Sequence, residues 1–313
     1  MNYEQLLLNI TLADERFIVL TAENRALVRN LPISLGNRFI DTGITEQTMI
    51  GVAAGLALRG RIPVVHALAS FLTMRAFEFV RTDAGIPSLP IKLSGFIPGF
   101  LSDGNGPTHQ AIEDISLMRG IPNMTVFAPA DEQDLLIMLP KIWNSMNPAY
   151  TRINTRKSNY QHESIFEIGK AEIVQKGFDI TILVYGMLFE QAILAMEILE
   201  KQGKSVGLVN MRCLKPVDET VILEVVGNCE TIVTLEDHFL IGGLYSIVAE
   251  TLLKHQKTGK VIPMALDGSW FKPALLDKVL EFEGFTGKQI AERIIGTKIA
   301  LSQPKIELEE FAE

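Results

Sequence analysis

The chain has 313 residues, 47% of them hydrophobic and 21% charged, more than one typical domain holds and enough for two with a large buried core. Its net charge of −8, from 29 basic and 37 acidic residues without a Lys/Arg run, argues against nucleic acid and anionic membranes as partners. Cys213 and Cys229 stand outside any CxxC or Cys/His cluster, which excludes a disulfide framework and argues against a zinc site.

In chain order, Met1 to Glu15 lacks a basic leader region, and no apolar run long enough to span a bilayer follows it, so a cytoplasmic address is expected. Phe17–Leu20 reads as a buried strand, Glu46–Leu58 as a helix, Ile62–His66 as a strand and Phe71–Asp83 as a helix. Leu89–Leu93 and Thr125–Ala128 are strand-like. Asp131–Trp143 is a helix opened by an acidic residue after Pro129, and Tyr150–Ile153 closes the set. Asn154–Ser164 is polar and without period. Alternation resumes with strands at Ile180–Tyr185, Val206–Met211, Thr231–Glu236 and Val261–Leu266, with helices between them. Continuous apolar strands alternating with helices predict parallel sheets covered on both faces. The expected division is an α/β domain over 1–160, a linker over 161–176 and a second, doubly wound α/β domain over 177–313.

Three segments could carry chemistry. The first is Asp41 to Gln47, ahead of a helix whose Gly51, Ala53, Ala54, Gly55 and Ala57 suit a tight interface. A carboxylate at a helix start also complements the helix dipole. If Glu46 is buried there, its pKa is raised and it can hold a proton near neutral pH. In the second, Phe71, Met74 and Phe77 recur at three-residue spacing, either as core or as a flat apolar wall for an aromatic ring. The third, Leu101 to Gln110, is a Gly/Pro loop bearing His109 beside Thr108, Asn105 and Asp103, which suits acid–base work or the holding of substrate hydroxyls. There is no Walker A, no GxGxxG after the first strand, no serine nucleophile elbow and no HExxH.

Taken together, Gly43-Ile44-Thr45-Glu46, Ser70-Phe71-Leu72 and Gly106-Pro107-Thr108-His109-Gln110, in this order, resemble the pyrimidine-binding domain of the transketolase group of thiamine-diphosphate enzymes. The similarity runs on through Glu113-Asp114-Ile115, Arg119 to Asn123 and Pro129-Ala130-Asp131. Leu235 to His238 and Ile241 to Leu244 resemble the family's C-terminal domain. The resemblance implies that Glu46 meets the ring nitrogen of the aminopyrimidine and drives its imino tautomer. It implies that Phe71, Met74 and Phe77 wall the ring, with Phe71 stacking on it, and that Glu23 lies near the cofactor. It further implies that His109 binds the donor ketose, and that Arg156 or Arg152 grips a sugar phosphate. Met74 replaces the family's usual aromatic, and Asn105 its usual Asp for reading a sugar hydroxyl. The family's Gly-Asp-Gly diphosphate motif is missing; Asp103-Gly104 lies in the substrate loop instead. The diphosphate and its Mg2+ are therefore expected on an N-terminal partner subunit, in an α2β2 heterotetramer that transfers a two-carbon ketol unit between sugar phosphates. A 1-deoxyxylulose-5-phosphate synthase-like enzyme, a 2-oxo acid dehydrogenase beta subunit and a non-catalytic regulatory paralogue are the alternatives.

Overall fold

The computed structural model describes residues 1–296. Two mixed α/β sheets organise the chain. Its strands are β1 (Phe17–Thr21), β2 (Phe39–Asp41), β3 (Ile62–Leu68), β4 (Lys92–Phe96), β5 (Thr125–Phe127), β6 (Ala149–Ile153), β7 (Glu172–Gln175), β8 (Ile180–Val184), β9 (Val206–Asn210), β10 (Cys213–Lys215), β11 (Thr231–Phe239) and β12 (Val261–Leu266). The first sheet runs β10-β5-β6-β4-β3-β1-β2 and the second β12-β11-β8-β9-β7. All neighbours are parallel except β10 on β5 and β7 on β9.

The expected doubly wound architecture is present in both halves, with an antiparallel strand added at one edge of each sheet. Those two edge strands cut across the expected division. β7 lies within the stretch read as a linker, and β10, from the second half of the sequence, extends the first sheet. Both are very short, so neither carries enough period to be read from sequence. The fourth strand is shifted from 89–93 to Lys92–Phe96, because Pro90 leaves the earlier residues outside the ladder.

β1 is buried along its whole length, as its five apolar and β-branched residues dictate. It lies between β2 and β3, and Thr21 is in register with Asp41 on one side and His66 on the other. The chain winds to one side of β1 to make β2 and to the other to make β3. Such a reversal opens a crevice outside the carboxyl ends of the strands, where open α/β sheets take ligands.

The helix Glu46–Leu58 forms where expected and packs Met49, Ile50, Ala53, Ala54 and Ala57 inward. Gly51 and Gly55 lie on its open side, where a Cβ would meet nothing. The helix expected over 71–83 does not form as one regular piece. Phe71–Arg75 and Val80–Gly85 are π-helical, with Ala76 N–H donating to Phe71 O and Ile86 N–H to Arg81 O across five residues. Wide turns change the angular step, so three-residue spacing no longer marks one face. Phe71 meets His109, whereas Phe77 lines a separate cavity of about 560 Å³ with Arg81, Ile86, Leu117 and Ile121.

Candidate active site

The residues singled out in the first domain come from the ends of five adjacent strands. Glu46 follows β2, Glu23 follows β1, Phe71 and Met74 follow β3, His109 lies in the loop after β4, and Arg156 follows β6. Sheet order, not sequence order, makes them neighbours along one edge.

Glu46 is 1% exposed. Its carboxylate meets Arg75, whose Nη1 donates to Oε1 at 3.2 Å and to Oε2 at 3.0 Å. The Arg75 guanidinium also lies 3.7 Å from the centroid of the Phe71 ring. The Phe71 ring in turn tilts against the His109 imidazole, 5.2 Å between centroids. Carboxylate, aromatic face and imidazole thus form one contiguous surface, with Arg75 as the piece sequence reading missed. Its signal was present: an arginine four residues after Phe71, the one charged side chain between Phe71 and Phe77.

Asp41, at the end of β2, ties two of these loops together. Its Oδ1 accepts from Glu23 N at 3.0 Å and Gly43 N at 2.9 Å, and its Oδ2 accepts from Arg25 Nε at 2.8 Å. Burial acts to raise its pKa, but the Gly43 and Glu23 amides and the Arg25 guanidinium outweigh that and hold it below the usual carboxylate range. Glu23 takes a φ of +67°, costly for a residue with a Cβ, and Asp41 pins it there.

The His109 loop is internally bonded. Thr108 Oγ1 lies 2.9 Å from His109 Nδ1, Ser102 Oγ donates to His109 O at 3.1 Å, and Asn105 Nδ2 reaches Ser102 Oγ at 3.4 Å. Asp103 spends its carboxylate on Gly104 N at 2.7 Å, within its own turn.

The two arginines separate. Arg156 is exposed beyond β6. Arg152 is 2% exposed and lies between the halves of the molecule, paired with Asp114 of the first and Asp237 of the second. Burial pushes the Asp237 carboxyl up; Asp114 is held low against its own burial by Arg152. Tyr150 Oη adds a 2.6 Å bond to Asp114. Asp237 and Glu236 lie near the carboxyl end of β11, beside β8. That is the second sheet's own reversal point, and Arg152 fills it. Burial lifts Glu236 to about 7, opposed by donation from the Tyr245 and Leu244 amides.

A second buried polar cluster joins Asp131 and Asp134 to His162, Glu172, Asn210 and Arg212. Ligand atoms of Asp134, His162 and Glu172 fall within 4.8 Å of one another. Arg212 and Asn210 already donate to those carboxylates, so the cluster reads as an ion-pair network between the sheets.

Residues 10–162 match the family described as the transketolase pyrimidine-binding domain, and residues 169–290 match the transketolase C-terminal domain. The chain belongs to the transketolase family. It is similar to a putative transketolase C-terminal section of Methanocaldococcus jannaschii, 35% identical over 82% of each chain. It is also similar to a 6-deoxy-6-sulfo-D-fructose transketolase subunit of a Clostridium species, 35% identical over 92% of this chain and 90% of that one. A 1-deoxy-D-xylulose-5-phosphate synthase of Dictyoglomus thermophilum is 36% identical over 82% of this chain but only 42% of its own length. Among solved structures, a split-gene transketolase described as an inactive beta4 tetramer superposes with a TM-score of 0.84 at 30% identity, covering 94% of this chain and 95% of that one. The transketolase of Campylobacter jejuni shares the fold, with a TM-score of 0.75 at 20% identity over 92% of this chain and 45% of that one. This transketolase-family chain therefore corresponds to the C-terminal section of a split enzyme, in a family of thiamine-diphosphate-dependent transferases. Among its described residues, no helix is long and apolar enough to cross a membrane.

Proposed function

We propose that this chain is the pyrimidine-binding, substrate-holding subunit of a two-chain transketolase, moving a two-carbon ketol unit from a ketose phosphate to an aldose phosphate in the cytoplasm. The observation that carries it is the contiguous surface of Glu46, Phe71 and His109 at the crevice between β1 and β3.

The residues present fit one half of thiamine diphosphate. A buried carboxylate, an aromatic face and the apolar Met74 suit an aminopyrimidine ring, with the exposed Glu23 on the strained loop beside them. The only His/Cys/Asp/Glu group spaced for a metal among the described residues is the Asp134 cluster, which Arg212 and Asn210 close. The diphosphate and its Mg2+ are accordingly assigned to an N-terminal partner subunit in an α2β2 assembly, supported by the split relatives.

Thiamine diphosphate, when bound, supplies a carbon nucleophile that also accepts the electrons of the broken C–C bond. This chain's residues do the rest of the work on their side. Glu46 exchanges a proton between its carboxyl and the ring nitrogen of the pyrimidine, away from water. Phe71 offers its ring face for stacking. His109 donates a hydrogen bond at the donor's carbonyl end, Asn105 and Asp103 read sugar hydroxyls, and the fork of Arg156 binds phosphate. Phe77 lines its own cavity and Arg152 is engaged by two aspartates, so neither is given a substrate contact.

Mixing this chain with its N-terminal partner, Mg2+ and thiamine diphosphate should give ketol transfer from a ketose phosphate to an aldose phosphate. Glu46→Ala should abolish turnover while the subunits still assemble. No transfer from any ketose phosphate would overturn the reading, and product formation from pyruvate with CO2 release would replace it with the synthase chemistry of the longer relatives.

A further inference from the structure

The loop carrying His109 belongs to the first domain but is held by the second. The Phe100 ring sits between Phe271 and Phe285, at 5.2 and 5.0 Å. Phe100 N donates to Asp237 Oδ2 at 3.2 Å, and a Cβ on Gly99 would collide with that carboxylate. Ala274 N donates to Asp103 O at 3.0 Å, and Phe239 N to Ile112 O at 2.9 Å. Both ends of the loop are therefore fixed to the C-terminal domain through packing and backbone bonds.

Gln110 adds something different. It is fully buried, and its Nε2 donates to Asn105 O at 3.2 Å and to Phe271 O at 2.9 Å. One N–H closes the loop on itself across His109; the other ties it to the segment after β12. The Oε1 atom has no hydrogen-bond partner, so the side chain acts here purely as a donor. Phe100 and the backbone bonds already join the domains without it. Ser102 Oγ bridges Asn105 and His109 from within the loop. Gln110 adds the side-chain link that ties this turn, through Asn105 O, to Phe271 of the C-terminal domain, and so places the two groups assigned above to the donor sugar.

We propose that Gln110 is a positioning residue for the donor ketose phosphate: it locks the Asn105–His109 turn onto the C-terminal domain at Phe271. This rests on the function proposed above and gives the C-terminal domain a part in substrate recognition. Losing the donor amide takes this partner from the buried Phe271 carbonyl and the half-buried Asn105 carbonyl, so the turn relaxes toward water or another partner.

The test uses the full chain assembled with its partner, Mg2+ and thiamine diphosphate. Gln110→Met keeps side-chain length and removes both donors. It should raise KM for the donor ketose phosphate about tenfold or more, while KM for the acceptor and the affinity for thiamine diphosphate stay within about twofold. Backbone hydrogen exchange over residues 103–110 should speed up by a similar factor. Phe100→Leu weakens the domain contact instead; it should lower the melting temperature and leave donor KM within about twofold. If both variants only lose thermal stability, with donor KM and loop exchange unchanged, Gln110 is merely structural and the proposal falls. Should Gln110→Met not fold, Gln110→His keeps one N–H and is held to the same criteria. Absence of ketol transfer in the wild-type complex would remove the proposed function and the donor role together. An active wild type with unchanged exchange in Gln110→Met would remove this proposal alone.

Discussion

A single guanidinium nitrogen of Arg75 bonds both oxygens of Glu46, at 3.2 and 3.0 Å, while the same guanidinium covers the face of Phe71 at 3.7 Å. These are the two surfaces an aminopyrimidine would need. Arg75 is the cation that satisfies this buried carboxylate; on the function proposed above, a pyrimidine at Glu46 would have to take at least one oxygen from it. Arg75→Met should destabilise the free chain by about 1–3 kcal/mol, since it strands Glu46 but removes a partly exposed partner. Urea unfolding checks this. The loss should shrink when partner, Mg2+ and thiamine diphosphate are added, because the ring nitrogen then meets Glu46.

Asp41 holds the backbone that leaves β1 and β2 beside the crevice. Asp41→Ala leaves the Glu23 and Gly43 amides without their acceptor. The expected cost is about 1–3 kcal/mol, and Glu23 should leave its left-handed conformation. Hydrogen exchange should quicken at residues 22–26 and 41–45 and stay unchanged in the second sheet. Uniform quickening across the chain would show that Asp41 is simply a stability residue.

His162 makes stability depend on alkaline pH. Its burial disfavours the charge, but Asp131 and Glu172 accept from its two nitrogens, and Asp134 adds attraction, so its pKa rises from 6.5 to about 9. Arg212 is the other cation in the cluster. A group raised on folding stabilises fully below its unfolded pKa and loses that contribution as pH climbs through the folded value. The contribution of His162 should therefore fall between about pH 6.5 and pH 9, by an amount on the order of 3 kcal/mol, against an opposite gain from Lys92, whose burial lowers its pKa to about 7. In His162→Gln that fall should vanish from denaturant titrations across the same range.

Arg152 and Arg156 should part company in kinetics. Arg156→Met should raise KM for phosphorylated donors by about tenfold or more with kcat little changed at saturation, the mark of lost uniform binding. Arg152→Met removes the cation between Asp114 and Asp237 and should cost about 3–5 kcal/mol of stability instead. Calorimetry and initial rates on the two variants separate these outcomes. A normal melting temperature in Arg152→Met with a raised phosphate KM would reverse the assignment.

Much of this was legible from residue order. The helix Glu46–Leu58 announced itself through a carboxylate followed by small and apolar residues, and β1, β3 and β12 through continuous apolar runs. β2, β7 and β10 did not, because three or four residues carry no period and their pairing is set by the sheets they join. The regular helix expected after Ser70 failed for a related reason: apolar spacing cannot tell an α-turn from a wider one. Arg152 and Arg156 look alike four residues apart; only burial distinguishes a strand residue facing two aspartates from a loop residue facing water.

By itself, the sequence determined the chemistry on offer: a glutamate at a helix start, an aromatic behind a serine, a histidine in a Gly/Pro loop, and the alternation that makes two α/β units. The tertiary structure alone decided who meets whom. Parallel strands put residues tens of positions apart at the same edge, so the order β6-β4-β3-β1-β2 lines up Arg156, His109, Phe71, Glu23 and Glu46. It also decided that Arg75 faces Glu46, and that the second domain grips the His109 loop through Gln110 and Phe271. Contacts of that kind depend on distance in space, and no spacing along the chain encodes them.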